Sequence, residues 1–291
     1  MKTLNIIGCG NVGKTLAHLW FRHGVFQIQD VCNRSLESAQ NACTFIGQGN
    51  PINSCDELRP ADVFLIGTAD QSIADCCELL VQSNVLHEGD IVFHCSGALP
   101  ASILESAKSV GAFITSIHPI KSFADPSLCI TNFAGTFCGA EGDQKALDAL
   151  EPAFQTIGGR TFHVDNTNKT FYHAASVVAS NYLTALIELS IQSYVKAGLN
   201  REQALQIIAP IAHGTIKNIS ELDTAYALTG PIARGDVTTI ETQLNAFQNW
   251  KVEHGELYRL LGGIALDLSI IKNAGNLRTF DTLTKLLKKT D

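Results

Sequence analysis

The chain has 291 residues and a mass of 31.3 kDa, about the size of two domains. Hydrophobic residues make up 45% and charged residues 17%, a globular composition that excludes a disordered chain. The net charge of −7 argues against nucleic-acid binding as the main role, because phosphate recognition needs a basic face.

In chain order, short β-branched or aromatic runs alternate with helical patterns. Strands are predicted at Leu4–Ile7, Ile28–Cys32, Val63–Gly67, Ile91–His94, Phe113–Ile117, Gly135–Gly139 and Thr161–Val164. Helices are predicted between them at Val12–Phe21, Leu36–Phe45, Ile73–Val81, Pro100–Ser109 and Gln144–Ile157. This alternation predicts an α/β fold with a doubly wound, mostly parallel Rossmann sheet over residues 1–164. From residue 165 the strand signals stop, so residues 165–291 are expected to form an all-helical domain. A helix from Lys169 to Lys196 carries one charged side chain, Glu188, between Thr170 and Val195. Such a helix is expected to be buried, and its apolar surface exceeds what one small layer covers, which implies a homodimer. A helix starting at Asn200 should kink or divide at Pro210. Further helices are expected at Thr238–Gln248, Val252–Ala274 and Thr279–Lys289, after a break at Thr229-Gly230-Pro231.

Gly8-Cys9-Gly10-Asn11-Val12-Gly13 lies between the first strand and the first helix. This is G-x-G-x-x-G in the context that dinucleotide binding requires. Gly8 allows the tight turn, Gly10 lets a pyrophosphate approach the backbone, and Gly13 lets the helix pack on the strand. The amides and partial positive charge at the helix start then hold the phosphates. Asp30 stands near the position of a ribose-binding acid, but inside the strand Ile28–Cys32. The residues that leave this strand are Asn33, Arg34 and Ser35, which suit a 2′-phosphate. NADP is therefore expected, with NAD through Asp30 as the alternative. Ligands bind beyond the carboxyl ends of the strands, so Thr68, Ala69, Asp70, His94, Cys95, Ser96 and His118 are placed around the nicotinamide.

The segment from Gly8 through Asn33-Arg34-Ser35 resembles the NADP-binding domain of pyrroline-carboxylate reductase, ketopantoate reductase and deazaflavin-dependent NADP oxidoreductases. Four further segments extend the likeness over almost the whole chain. They are His94-Cys95-Ser96-Gly97-Ala98, His118-Pro119-Ile120-Lys121-Ser122-Phe123, Tyr172 to Ser176 with Ser180-Asn181-Tyr182, and Thr229 to Asp236. There the chain resembles bacterial Rossmann-like proteins with a helical C-terminal domain of unknown function. The resemblance implies a dimeric, NADP-dependent oxidoreductase with a 6-phosphogluconate-dehydrogenase-like arrangement. The wider β-hydroxyacid dehydrogenase superfamily has a lysine followed four residues later by an asparagine. Here Lys169 is followed by His173, which speaks against simple hydroxyacid chemistry.

Hydride transfer to a carbonyl or imine needs a proton donor within hydrogen-bond reach. On a helix Lys169 and His173 lie about 40° and roughly 6 Å apart, so they can share a pocket, whereas Asn181 lies about 80° from His173. His173, Lys169, His118 and Ser96 form the expected catalytic set, and Asn181 and Arg234 the substrate-binding set in an interdomain cleft. Cys95 beside His94 admits a second chemistry, thioester formation. A non-catalytic NADP sensor or scaffold is the alternative from another class. The nine cysteines contain no C-x-x-C, so reduced thiols and no metal site are expected. No uninterrupted apolar run reaches the roughly 18 residues of a membrane span, and the N-terminus lacks a signal-peptide pattern. The expected setting is a cytoplasm, with a small-molecule substrate and neither membrane nor nucleic acid as partner.

Overall fold

The structure, a computed structural model, describes residues 1–273 and 280–288. It contains two compact units, Met1–Thr184 and Ala185–Asp291.

The first unit is built on an eight-stranded sheet in the order β3-β2-β1-β4-β5-β6-β7-β8. The strands are β1 (Lys2–Ile7), β2 (Phe26–Cys32), β3 (Asn50–Ile52), β4 (Val63–Ile66), β5 (Ile91–His94), β6 (Phe113–Pro119), β7 (Phe137–Gly142) and β8 (Arg160–His163). All neighbours pair in parallel except β6 and β7. The order in which strands are added to the sheet reverses between β1 and β4, and a doubly wound sheet binds its ligands at that switch point. Strand β3 was missed because it has three residues and Pro51 at its centre, a signal that reads as a turn. As an edge strand it tolerates the missing N–H.

Helices α1 (Asn11–Arg22), α2 (Leu36–Ile46), α3 (Ile73–Gln82), α4 (Glu105–Ser109), α5 (Pro126–Thr131) and α6 (Gln144–Thr156) join the strands. The predicted helix Pro100–Ser109 is a 3-10 turn, Ala101–Leu104, followed by α4. Leu4, Leu16, Trp20, Phe93 and Phe154 build one core, and Ile66, Phe64, Leu80 and Val92 build another. The indole of Trp20 donates to the Ala153 carbonyl at 3.1 Å and meets the rings of Phe26 and Phe154 edge-on. An indole this deeply buried needs that acceptor.

The helix Lys169–Lys196 comprises α7 (Lys169–Val177), a π turn (Val178–Tyr182) and α8 (Leu183–Lys196). It is long and apolar enough to cross a membrane by length and composition alone. It is not the buried helix that its composition predicts. Lys169 is buried, but Phe171 is 81% exposed, and Val178, Tyr182 and Val195 are exposed too. Composition states how much apolar surface must be covered but not which element covers it.

In the second unit, α8 is followed by α9 (Arg201–Leu222), α10 (Thr224–Ala227), α11 (Pro231–Arg234), α12 (Val237–Trp250), α13 (Val252–Lys272) and α14 (Asp281–Leu287). Helix α9 runs through Pro210, so the expected division does not occur: the helical hydrogen bonding on either side outweighs the one lost donor. Asn200 starts α9 with a capping box, its side chain accepting from Gln203 N–H. The break at Thr229–Pro231 is present, with Gly230 at φ +92° and Pro231 opening α11. The ends assigned to Ala274, Thr279 and Lys289 lie outside the described residues. Among the described residues, the core of this unit is divided into two small clusters, around Leu266 and Leu283 and around Ile191 and Ile208. A cavity of about 590 Å³ lies among Leu186, Leu189, Tyr194, Phe247, Tyr258 and Leu261.

Candidate active site

The glycine loop sits at the switch point. Gly8 has φ +82°, and a Cβ there would lie 2.8 Å from the Thr68 nitrogen. The loop after β4 approaches it equally closely, since a Cβ on Gly67 would lie 2.6 Å from the Gly8 carbonyl oxygen. A Cβ on Gly13 would meet Cys9 Sγ at 3.3 Å. Gly10, the N-cap of α1, differs: a Cβ there would meet nothing within 4 Å. The loop is thus packed from below and open above the start of α1, the form that a pyrophosphate cradle requires.

Asn33 and Asn11 support this loop rather than face outward as free ligand groups. Asn33 Oδ1 accepts from Cys9 N–H at 2.6 Å, and its amide donates to Ser38 Oγ at 3.0 Å. Asn11 Nδ2 donates to the carbonyls of Phe123 and Ala124 at 2.8 and 3.2 Å. Val12 packs into the core, and Ser35 caps α2 by accepting from Ser38 N–H. Asp30 is fully buried and held by Arg59, with the Nη2 to Oδ1 distance 2.6 Å. Burial raises its pKa, but the bonds from Arg59 and Asn50 outweigh this and leave it below the usual carboxylate range. Asp30 is therefore committed within the sheet. Arg34 is exposed at the tip of β2, with no hydrogen bond or ion pair to another described residue.

Beyond the switch point, His94, Ser116 and Glu141 lie in register across β5, β6 and β7. His94 is fully buried. Its Nδ1 accepts from Ser96 N–H at 3.1 Å, so its Nε2–H donates to the Pro100 carbonyl at 3.2 Å. Burial, with the Lys169 charge second, lowers its pKa to about 4. Ser96 Oγ accepts from the amides of Ala98 and Leu99 at 3.2 and 3.1 Å. Both residues thus shape the loop after β5. Burial pushes the Cys95 thiol far above its ordinary range, which disfavours the thiolate that thioester chemistry needs. Thr68 is half-buried, whereas Ala69 and Asp70 are exposed at the end of β4.

Lys169, Tyr172 and His173 are spaced i, i+3, i+4 and share one face of α7. Lys169 Nζ donates to Ser116 Oγ at 2.7 Å and to Glu141 Oε1 at 2.8 Å. Glu141 Oε1 also accepts from Ala101 N–H at 2.7 Å. Burial lowers the Lys169 pKa, opposed by the bond and charge of Glu141. One turn on, Tyr172 OH lies 2.9 Å from His118 Nδ1. Gly139, opposite His118 in the sheet, leaves space for the Tyr172 hydroxyl, against which a Cβ would clash. Burial lowers the His118 pKa to about 4, followed by the charges of His173 and Lys169. Burial also raises Tyr172 to about 12. The phenol therefore stays protonated, and one hydrogen bond joins it to Nδ1, in the direction that the His118 tautomer sets.

His173 is half-buried beside His118, with ring centroids 5.9 Å apart. A Cβ on Gly97 would lie 2.6 Å from both rings, so the backbone of the loop after β5 rests directly on this pair. Sequence reasoning missed Tyr172 and Glu141. The i, i+3 spacing from Lys169 could have found Tyr172, but only strand register reveals Glu141. Asn181 is exposed within the π turn. A π turn uses about one more residue than an α turn, so its offset from His173 falls well below the roughly 80° of a regular helix. Arg234 ends α11 in the second unit, beside Asp236, whose pKa it helps to lower after the bonds from Thr239.

Residues 2–119 match the profile of a Rossmann-like domain, and residues 136–264 match that of a domain of unknown function, DUF2520. The chain joins these two domains. Among solved structures it is similar to protein TM1727 from Thermotoga maritima, with 26% identity and a TM-score of 0.71 over 93% of this chain and 100% of that one. It is also similar to BF3122 from Bacteroides fragilis, a candidate NADP oxidoreductase, with 21% identity and a TM-score of 0.77 over 91% and 98% of the two chains. The pyrroline carboxylate reductase of Plasmodium falciparum with NADP bound shares the fold at 14% identity and a TM-score of 0.58, over 92% and 98%. No curated protein sequence matches the chain. At these identities the last two likenesses concern the fold, which is Rossmann-like with a helical C-terminal region.

Proposed function

We propose that the chain is an NADP(H)-dependent oxidoreductase acting on a small carbonyl, imine or hydroxy-acid substrate. The observation that carries this reading is one continuous edge of the sheet. It begins at the open glycine loop, passes through Thr68 and Gly97, and ends at the His118–Tyr172–His173 cluster. The amides of Gly10 to Gly13 and the start of α1 would hold the pyrophosphate, and Arg34 would hold the 2′-phosphate. The coenzyme supplies or accepts hydride when bound. His118, oriented by Tyr172, offers Nε2–H to the substrate oxygen or nitrogen. His173 exchanges the proton. Lys169, Ser96 and His94 position these groups from within the fold, and Asn181 and Arg234 remain the candidate substrate-binding residues.

Two experiments test the reading. NADPH and NADH are titrated separately by fluorescence, and a metabolite panel is then screened with the coenzyme that binds. Arg34→Ala should weaken NADPH about 10- to 100-fold, the loss of one charge-assisted phosphate contact, and change NADH less than twofold. Equal losses for both coenzymes would remove the 2′-phosphate assignment. Coenzyme binding without turnover of any metabolite would favour a sensor instead.

The protein is further proposed to be a cytoplasmic homodimer. The support for the dimer is apolar surface on the C-terminal half of the chain, including Val178, Ile211, Ile216 and Ile264, all more than half exposed. A single soluble chain rarely leaves so much apolar area to water. Sedimentation equilibrium should give a dimer at micromolar concentration, and Val178→Glu with Ile264→Glu should shift it to monomer. A wild-type monomer at that concentration would refute the assembly.

A further inference from the structure

Helix α9 begins packed and ends bare. Near its start, Ala204 and Ile208 pack with Ile187, Ile191 and Tyr194 of α8. From Ala209 to Leu222 every residue is exposed except the half-buried Ala212. This stretch is not polar all round. At about 100° per residue, Ile207, Ile211, Ile216, Ile219 and Leu222 cover roughly half of the helix circumference, and His213, Lys217 and Glu221 stand on the other half. The polar side needs nothing more than water: Lys217 and Glu221 lie 3.9 Å apart, both exposed. The apolar side is uncovered, its five aliphatic residues 37% to 57% exposed. A helix in a protein draws most of its stability from packing such a side.

The same unit holds a seat of matching chemistry. The cavity of about 590 Å³ is walled by Leu186, Leu189 and Tyr194 of α8, Phe247 of α12 and Leu261 of α13, and among the described residues no charged side chain and no part of α9 lines it. It borders both small core clusters, through Tyr194 on one side and Ile232 on the other. The chain leaves 15,598 Å² to water, whereas a folded single chain of 31.3 kDa leaves about 12,000 Å². The excess of about 3,500 Å² on that scaling is more than the roughly 1,000–2,500 Å² that each protomer of an obligate dimer covers.

We propose that the bare half of α9 seats in the α8–α13 cavity of a second copy of this chain, and that the second unit completes its core only in that dimer. A two-fold axis makes the exchange reciprocal, so each copy gives one helix and receives one. A second copy fits where a small apolar ligand does not, because a ligand would fill the cavity and still leave α9 bare. The inference rests on the homodimer proposed above and names its interface; it is independent of the coenzyme site.

The test uses the full chain in sedimentation equilibrium. Ile216→Glu/Ile219→Glu on the helix and Leu261→Lys on the seat should each raise the dimer Kd about 100-fold, the loss expected at the centre of an interface. Mixed in equal amounts, the two variants should recover a heterodimer, with one seat wild-type and the other pairing the new charges. Variants that unfold alone and recover on mixing support the shared core equally. Leu128→Glu, on an exposed residue of α5 in the first unit, should leave the dimer intact. In urea unfolding of the wild type followed by circular dichroism, the midpoint of the second unit should rise with protein concentration. A midpoint independent of concentration would overturn the shared core. A dimer that tolerates both the helix and the seat variants would overturn the seating and leave the homodimer standing. Dissociation by the helix variant but not by Leu261→Lys would overturn the cavity as the seat. A monomeric wild type would remove the homodimer and this inference together.

Discussion

Replacing Lys169 by Met is expected to destabilise the sheet-containing unit by about 3–5 kcal/mol, the usual cost of leaving one member of a buried ion pair alone. The pair is almost dry, with side-chain exposures of 4% for Lys169 and 9% for Glu141. Removing the ammonium leaves a carboxylate with, among the described residues, the Ala101 amide and little water. Unfolding by urea, followed through buried Trp20 in a Trp250→Phe background, reads this unit selectively, because these are the two tryptophans of the chain. The double variant Lys169→Met/Glu141→Gln should recover to within about 1–2 kcal/mol of the reference, since removing both charges is often nearly neutral. The carboxamide that replaces the carboxylate also keeps an oxygen for the Ala101 N–H. A single variant that costs less than about 1 kcal/mol, in the range of exposed ion pairs, would contradict the buried pair.

The second large effect is kinetic. His173→Ala should lower kcat/KM about 10²- to 10⁴-fold, the range for a lost general acid or base, with NADPH affinity changed less than twofold. Tyr172→Phe should cost about 10-fold, as for a group that orients a catalytic ligand through a hydrogen bond. In the proposed reading the phenol orients the His118 ring through this hydrogen bond and touches no reacting atom. Both are measured with the substrate that the metabolite screen returns. Unchanged turnover in His173→Ala would remove it as the acid–base group. An equal loss in Tyr172→Phe would make the phenol itself the donor.

Much of the molecule was legible before folding was considered. The glycine spacing, the strand–helix alternation and the loss of strand signals after Val164 arise from local steric and periodic rules, so they survive in the linear chain. So does the placement of Asp30 inside its strand and of Arg34 at the tip, because the apolar run marks where the strand ends. The i, i+4 relation of Lys169 and His173 was equally local. Their different fates were not. Lys169 is consumed by Glu141 because antiparallel pairing puts residue 141 beside Ser116, a register with no signature in either segment.

The sequence by itself determined the fold class, the glycine turn at the start of the first helix and which titratable side chains stand near the strand ends. Only the tertiary structure decided which of those residues remain available. His94, Ser96 and Asn33 are occupied by backbone groups, whereas His118 is oriented by Tyr172. The physical reason is that a side chain's chemistry depends on burial and on its hydrogen-bond partners. Those are supplied by segments distant in sequence, so local spacing carries no record of them.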